Sequence, residues 1–419
     1  MASRTTRAKA VQSFPFEKRS DVNADVVVVG GSVAGSATAA FLARRGHNVV
    51  ILDRARFPRD KPCGEGLMPH GVDLLSELGV LDRVRASGAT ELTGVRYTLE
   101  NGQTVRAGFP SLSGHSSVGL GIRRLALDQL LLDFARESGS VQVRENFRVA
   151  GLVRRNGAVV GVTDGHREVR ASVVVGADGI RSTVRRSMGW DVARRGTRRY
   201  AALGHFRCAD VRTIGSDVHV VIARGLEVYL TPLGRGEVLV ALLGGRGLMR
   251  RFSGDLSGGY ERVVRAVPCL SGLFQGAKLM PGVRAIGPFA ARASCVAGSA
   301  VLLVGDAAGF LDPITGEGMA SALQQARAAA TVIDTALRTG AADPDLSAYA
   351  LEHRRITATG NRLTWVALSM CNSQAMAMRA MAGLQRRPEL FAKLLAINCG
   401  YSGLRSVTPR DWLALVSGR

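Results

Sequence analysis

Residues 25–36 read DVVVVGGSVAGS, and a second apolar run soon afterwards ends at Asp53. The valines from Val26 to Val29 predict a buried parallel strand, because such strands are apolar on both faces. The small side chains from Val33 to Arg45 predict a helix that packs closely on this strand. Strand, glycine-rich turn, helix, strand and acid follow one another as in a βαβ unit that binds a dinucleotide.

Each position of this motif has an expected task. Gly30 permits the sharp turn, and Gly35 lets the helix approach the strand, so that the helix N-terminus faces a diphosphate. Ser32 occupies the second glycine position of G-x-G-x-x-G, and its hydroxyl is expected to donate to the phosphates. Asp53 is expected to accept hydrogen bonds from the adenosine ribose. The predicted nucleotide contacts also include Val33, Ala34 and Arg54. A merely structural glycine turn is the alternative, and the complete βαβ spacing disfavours it.

Two further glycine–acid turns follow apolar runs, VVVGADGIRS at 173–182 and VLLVGDAAG at 301–309. Ligands of open α/β sheets bind at the carboxyl ends of strands, where such turns lie. A nicotinamide dehydrogenase needs only the first of the three motifs. Three motifs in this order therefore indicate that distant parts of the chain meet around FAD.

With these turns the chain resembles the flavoprotein group that contains p-hydroxybenzoate hydroxylase and, more closely, the geranylgeranyl reductase family. The resemblance extends to KPCGEGL at 61–67, GIRRLALD at 121–128 and DPITGEGM at 312–319. It implies an α/β fold with a Rossmann-like, three-layer FAD-binding domain of the GR2 type. An inserted antiparallel-sheet substrate domain and a helical C-terminus complete the implied architecture.

The resemblance also implies roles for individual residues. Gly305 and Asp306 would meet the ribityl chain, and the turn with Asp178 and Gly179 would support the FAD pyrophosphate and incoming NAD(P)H. Arg124 would reach FAD from a helix start, with Arg123 as the alternative.

The flavin edge is assigned to two of the segments that carry the resemblance. Cys63 would lie beside the flavin ring, either near the reacting edge or as a small buried hydrophobic residue. A helix that starts after Thr315 and Gly316 would aim its positive N-terminus at the flavin pyrimidine edge. Gly318 and Met319 would belong to its first turn. The predicted catalytic set is therefore Cys63, Thr315 and Gly316.

At 419 residues the chain is long enough for two or three packed units. The predicted units are a disordered basic tail at 1–22, a discontinuous FAD-binding domain at 23–84, 115–188 and 284–342, a substrate-binding sheet domain at 85–114 and 189–283, and a C-terminal helical region at 343–419. Antiparallel strands are predicted at 200–208, 217–223, 226–231 and 237–243, with a turn at 232–236. The pocket candidates on these strands are Tyr229, Thr231, Phe206 and His205. His205 or His219 is a candidate base, although a lone histidine on a strand is more often packed or at the surface.

Composition excludes several classes of protein. The net charge of +21 invites a nucleic-acid hypothesis, but aromatic residues make up only 5% and the arginines are spread along the chain. An anionic cofactor or substrate explains the charge with fewer assumptions. The six cysteines form no CxxC pair, which argues against a bound metal and fits a reduced, cytoplasmic protein. No apolar run is long enough to span a membrane. A peripheral membrane contact stays open where Arg386 and Arg387 adjoin Leu390, Phe391, Leu394 and Leu395.

Two reactions of reduced flavin fit these motifs. The first hypothesis is an NAD(P)H- and FAD-dependent monooxygenase that hydroxylates or epoxidises an apolar aromatic, polyketide or isoprenoid-like small molecule through a flavin C4a-hydroperoxide. The alternative is an ene-reductase of the geranylgeranyl type that reduces carbon–carbon double bonds of an isoprenoid or lipid. Residues 228–232 read VYLTP, without the tryptophan of the Tyr-x-Trp-x-Phe-Pro strand that geranylgeranyl reductases share. This absence favours the monooxygenase.

Overall fold

A computed structural model describes residues 20–192, 199–208, 215–341, 343–371 and 373–418 of the chain. Most of the predicted tail, at 1–19, lies outside the described residues. The first strand begins at Ser20, so residues 20–22 are strand and not tail.

Helices and strands alternate through the first half of the chain, and helices dominate after residue 317. The strands are β1 (Ser20–Val29), β2 (Val49–Leu52), β3 (Gly66–Leu67), β4 (Thr90–Leu92), β5 (Gly94–Leu99), β6 (Thr104–Gly108), β7 (Gly119–Gly121), β8 (Val141–Arg144), β9 (Gly151–Arg155), β10 (Ala158–Thr163), β11 (Glu168–Gly176), β12 (Tyr200–Arg207), β13 (Asp217–Ala223), β14 (Leu226–Gly234), β15 (Glu237–Gly244), β16 (Lys278–Leu279), β17 (Arg284–Ile286), β18 (Ala291–Arg292), β19 (Ala297–Gly298), β20 (Val301–Leu303) and β21 (Gly309–Phe310). The helices are α1 (Val33–Ala43), α2 (Pro69–Leu78), α3 (Leu81–Ala86), α4 (Arg124–Arg136), α5 (Thr183–Ser187), α6 (Arg246–Arg250), α7 (Leu256–Arg265), α8 (Gly318–Arg338), α9 (Ala348–Cys371), α10 (Gln374–Arg386), α11 (Pro388–Asn398) and α12 (Pro409–Ser417).

The first sheet has the strand order β19-β20-β11-β1-β2-β8, and its five strands from β20 to β8 are parallel. Val26 and Val28 of β1 pack under α1, α4 and α8, while Val27 and Val29 pack against the β9–β10 hairpin side. This arrangement confirms the predicted three-layer α/β fold. Because β1, β11 and β20 are neighbours, the turns at their carboxyl ends lie side by side.

The second sheet has the order β16-β12-β15-β14-β13-β5-β6, with β17 also paired to β12. The four predicted strands pair antiparallel with one another, as expected. Strand β5, which the sequence analysis does not predict, joins the sheet by a parallel pairing with β13. Both strands enter the sheet at the same end, where the Thr93 amide donates to the Ser216 carbonyl at 2.8 Å. The predicted FAD-binding domain includes residues 284–286, but these residues form β17 and pair with β12 of the second sheet.

The second sheet has one face on α7 and one face towards the first sheet. Phe206 belongs to the α7 face, where its ring centroid lies 6.2 Å from that of Tyr260 and 4.7 Å from that of Phe274. Strand β14 continues to Gly234, which shortens the predicted turn at 232–236 to residues 235 and 236. The sheet therefore presents alternate residues of β12, β14 and β15 to the first domain.

Helices α9 to α12 form the C-terminal region, as the sequence predicts. Leu390, Phe391 and Leu395 of α11 are buried in the interior, so they do not form the membrane-facing surface that the sequence left open. In the part of the chain that the structure describes, no helix has both the length and the apolar character needed to cross a bilayer.

Candidate functional site

A cavity of about 2170 Å³ lies between the two sheets and α9. Its volume is at least twice that of an ordinary small-molecule pocket. The predicted site residues that line it are Gly30, Ser32, Val33, Ala34, Asp53, Arg54, Cys63, Arg124, Asp178, Gly179, Gly305, Asp306, Thr315, Gly316, Gly318 and Met319. The structure thus brings together residues from seven separate segments of the chain.

The glycines of the first turn are required by close backbone approach. Gly30 has a φ of +107°, and a Cβ there would lie 2.5 Å from the carbonyl oxygen of Ala177 in the second turn. Gly35 does not line the cavity, because its α-carbon faces the Gly30 carbonyl and a Cβ would lie 1.8 Å from that oxygen. In this structure Gly35 is a packing residue behind the turn.

The hydroxyl of Ser32 is hydrogen-bonded within the protein. Its hydroxyl donates to Asp128 Oδ2 at 2.8 Å and accepts from Arg124 Nη2 at 2.8 Å. Arg124 also pairs with Asp128 Oδ1 at 2.7 Å, and both side chains are buried. Burial alone would raise the pKa of Asp128, but the charges of Arg124, Lys61 and Arg59 outweigh burial and hold that pKa below its ordinary value.

This triad locks the first turn to α4, and it distinguishes Arg124, the predicted residue, from its alternative Arg123. Arg124 lines the cavity beside Ser32, whereas Arg123 points to the second sheet and pairs with Glu237 at 3.2 Å. Position 124 is therefore the one that faces the nucleotide turn.

Asp53 holds the loop that follows β2. Its Oδ2 accepts from the Gly31 amide at 2.8 Å, and its Oδ1 accepts from the Ala55 amide at 2.9 Å. Each carboxylate oxygen can accept a second hydrogen bond. The side chain thus fixes the turn and still faces the cavity, where the predicted ribose contact would be made.

The second and third turns contribute carboxylates of different character. Asp178 Oδ2 accepts from the Thr183 amide at 2.6 Å, whereas its buried Oδ1 accepts no hydrogen bond from the described residues. Burial raises the pKa of Asp178. Asp306 lines the cavity, and no described residue donates a hydrogen bond to its carboxylate. Asp306 therefore retains acceptor capacity towards the cavity, whereas the Asp178 oxygen that lacks a donor is buried.

The N-terminus of α8 opens on the cavity between the two sheets. Thr315 is held there by two contacts, because its hydroxyl lies 3.2 Å from that of Thr364 and its carbonyl accepts from Asn398 Nδ2 at 3.0 Å. No side chain caps α8 or α1, so their first amides are left for another acceptor. These two helix ends favour negative charge in the cavity.

The KPCGEGL segment runs along the cavity wall and carries the half-buried Cys63. Glu65 in this segment is buried, accepts from the Arg124 amide at 2.8 Å, and lies 2.7 Å from His205 Nε2. His205 is therefore bound to Glu65 and does not line the cavity, contrary to the prediction. Sequence reasoning missed this role of Glu65, because its partners are 59 and 140 residues away.

The second sheet supplies the opposite wall. Tyr229 and Thr231 line the cavity as predicted, but Phe206 lies on the other face of its strand. His219 lies beyond the wall as well, with Nε2 at 2.8 Å from the Thr98 hydroxyl, and burial lowers its pKa to about 4. The apolar part of this wall consists of Leu203, Val218, Leu239, Ala241 and Leu243.

The cavity carries more basic than acidic side chains. The basic residues that line it are Arg54, Arg59, Lys61, Arg124, Arg148, Arg181, Arg186, Arg284, Arg292 and Arg354, and the acidic ones are Asp53, Asp60, Asp178, Asp306, Asp312 and Glu317. Together with the two uncapped helix ends, this charge fits a dinucleotide diphosphate. The described residues contain no group of three or more His, Cys, Asp or Glu side chains arranged to hold a metal ion.

Comparison with known proteins agrees with this geometry. The model of the FAD binding domain family matches residues 23–230. The menaquinone reductase of Mycobacterium tuberculosis is 33% identical over 329 residues, which cover 75% of this chain and 78% of that protein. The chain belongs to the geranylgeranyl reductase and p-hydroxybenzoate hydroxylase superfamily of flavoproteins. FAD is therefore its cofactor, and it is an oxidoreductase.

Two other similarities extend the comparison. The 6-methylpretetramide 4-monooxygenase of Streptomyces rimosus is 38% identical over 170 residues, or 39% of this chain and 40% of that protein. A flavoprotein/dehydrogenase structure from Cytophaga hutchinsonii superposes with a TM-score of 0.81 at 20% identity, covering 91% of this chain and 93% of that one. The structural similarity concerns the fold alone. The superfamily thus contains both reductases and monooxygenases.

Proposed function

We propose that the protein is a FAD-dependent reductase that saturates a carbon–carbon double bond in an apolar, isoprenoid-type small molecule. The cavity is the observation that supports an apolar substrate beside FAD. Its volume of about 2170 Å³ has room for FAD and a bulky second molecule. One wall holds the dinucleotide turns, and the facing wall is the apolar row of the second sheet.

FAD supplies the hydride chemistry when it is bound. Asp306 and the Gly305 turn would hold its ribityl chain, and the first turns of α1 and α8 would hold its diphosphate and pyrimidine edge. Tyr229 and the apolar residues of β12 and β15 would orient the substrate against the flavin. Cys63 would lie on the flavin side of the substrate.

We prefer reduction to hydroxylation because the similarity to a reductase extends over more of the chain. One relative that spans three quarters of the chain is named a menaquinone reductase. Menaquinone is a quinone with an isoprenoid chain. The KPCGEGL segment, which resembles geranylgeranyl reductases, also lines the cavity.

Oxygen-dependent hydroxylation, which the sequence favours, is the second candidate. It is supported by the similarity to a monooxygenase over 39% of the chain and by the missing tryptophan at 228–232. Both reactions use the same FAD cavity, so the nucleotide motifs do not separate them.

NAD(P)H is the proposed source of electrons. The turn of Asp178 and Gly179 lies at the cavity wall next to the exposed Arg181, which would attract the phosphates of a nicotinamide dinucleotide. The six free cysteines fit a reducing compartment, and we propose that the protein is located in the cytoplasm.

The deciding experiment is an anaerobic turnover assay with the purified, FAD-loaded protein. NADH and NADPH are each supplied with menaquinone or with a geranylgeranyl lipid, and the masses of the products are determined by mass spectrometry. We expect a gain of two hydrogens per reduced double bond without oxygen. A product that gains one oxygen atom, and forms only in air, would replace the reductase with the monooxygenase.

A further inference from the structure

Glu317 occupies a socket that a glycine creates. Its carboxyl group extends from the start of α8 to the backbone of α9 at Gly360. A Cβ at position 360 would lie 1.6 Å from Oε1 and 2.4 Å from Cδ of Glu317. A glycine inside a helix costs about 1 kcal/mol relative to alanine. Helix α9 thus carries an unfavourable residue at the point where the carboxyl group needs space.

The socket contains no described partner for the carboxyl group. No described residue forms a hydrogen bond or ion pair with it, and burial raises its pKa to about 7. Cys399 faces it from the end of α11, and burial followed by the charge of Glu317 raises that thiol pKa to about 12. On the same face of α9, burial lowers the pKa of His353 to about 4. Both neighbours are uncharged at neutral pH, and Arg354 lines the cavity farther along α9.

Glu317 also lines the cavity, between Gly316 and Gly318 of the flavin-edge turn. A general acid is most effective when its pKa lies near the working pH. The polar residues Thr357, Asn361 and Thr364 of α9 also line the cavity. Because its pKa lies near 7, the carboxyl group is partly protonated at neutral pH, and it faces the cavity.

We propose that Glu317 is the proton donor of the reduction, an inference that rests on the proposed function. One alkene carbon receives the proton of the Glu317 carboxyl group, and its neighbour receives a hydride from reduced FAD. The π bond becomes two new C–H bonds, FAD is left oxidised, and the Glu317 carboxylate regains its proton from water.

The first test needs no cofactor. Infrared difference spectra of the apoprotein are recorded across neutral pH for wild type, Glu317→Gln and the matched control Glu352→Gln, an exposed acid on α9. We expect the carbonyl stretch of a buried protonated carboxyl group to titrate near pH 7 in wild type and Glu352→Gln, and to be absent from Glu317→Gln. A wild-type spectrum without this band would overturn the proposal.

The second test uses the loaded enzyme. Under anaerobic conditions, Glu317→Gln should bind FAD normally and slow the single-turnover reduction by about 100-fold, because general acids contribute effects of that size. Its rate should also lose the pH dependence of wild type, whereas Glu352→Gln should keep both. An unchanged rate in Glu317→Gln would sink the proposal.

The variant Gly360→Ala is a control for the possibility that Glu317→Gln loses activity because it does not fold. Its methyl group displaces the carboxyl group without removing it, so the infrared band should shift to a lower titration point while FAD absorbance is retained. A failure of the proposed function is distinguishable, because wild type would then give no anaerobic product although the infrared titration of Glu317 persists.

Discussion

The guanidinium group of Arg199 binds both carboxylate oxygens of Glu227, with nitrogen–oxygen distances of 2.8 and 2.9 Å. Nε of the same arginine lies 3.1 Å from Asp312, which starts the turn before α8. The Tyr229 hydroxyl lies 3.1 Å from both Glu227 Oε2 and the Ile314 carbonyl. This buried network fastens the second sheet to the turn at residues 312–316.

Removing one member of the Arg199–Glu227 pair should lower the free energy of unfolding. Glu227→Ala leaves Arg199 buried with half of its anionic partners, and breaking such a pair costs about 3–5 kcal/mol. Urea unfolding measures the loss. Glu352→Ala, which breaks an exposed pair with Arg355, should cost less than about 1 kcal/mol. Equal losses in the two variants would contradict the structural role of the network.

Gly30 and Gly46 both have positive φ, at +107° and +88°, but only Gly30 is crowded. Gly30→Ala should abolish FAD retention, because its methyl group would collide with the Ala177 carbonyl and separate the first two turns. Gly46→Ala, with no atom within 4 Å of the new methyl group, should cost only about 1 kcal/mol and retain FAD. Flavin absorbance of the two purified variants tests this contrast.

Asp306→Ala should also lose most bound FAD, since the carboxylate faces the cavity and has no described donor of its own. The control is Asp82→Ala, an exposed acid in α3 that lies far from the cavity lining. The dissociation constant for FAD, measured by fluorescence quenching, should rise strongly in the first variant and stay unchanged in the second. A fully flavinylated Asp306→Ala protein would remove this residue from the site.

Glu317 should make stability depend on pH with a defined sign. Its folded pKa of about 7 lies above the ordinary value of 4.5, so the native state holds the proton more tightly than the unfolded chain. Stability from this group is complete below pH 4.5 and is lost as the pH rises through about 7. Wild type should therefore lose about 3 kcal/mol relative to Glu317→Gln between these limits. Parallel unfolding curves for the two proteins at pH 4.5 and pH 9 would refute this effect.

Sequence alone predicts the parts of the site that depend on neighbouring residues. The turns at Gly30, Asp178 and Asp306 follow buried strands, and a parallel sheet necessarily brings those strand ends to one edge. The start of α8 is equally local, because the glycines at 316 and 318 and the alanine-rich run after them mark a helix boundary.

The features of the site that the sequence does not predict depend on contacts between residues that are remote in sequence. Alternation predicts that Phe206 and His205 face opposite ways, but not which of them faces α7. Ser32 lies in the nucleotide turn, yet its hydroxyl is taken by Asp128 from another helix. Glu317 belongs to a recognisable motif, but its environment depends on a glycine in α9. Such facts follow from packing and not from local pattern.

The parallel pairing of β5 with β13 has a consequence for biosynthesis. On the ribosome, β5 is complete long before β13 has been translated, since Gly94 pairs with Asp217. Until then one edge of β5 has unpaired backbone amides and carbonyls, which promote intermolecular association. A nascent chain truncated before Asp217 should therefore be prone to aggregate, and productive assembly of the second sheet must be a late event.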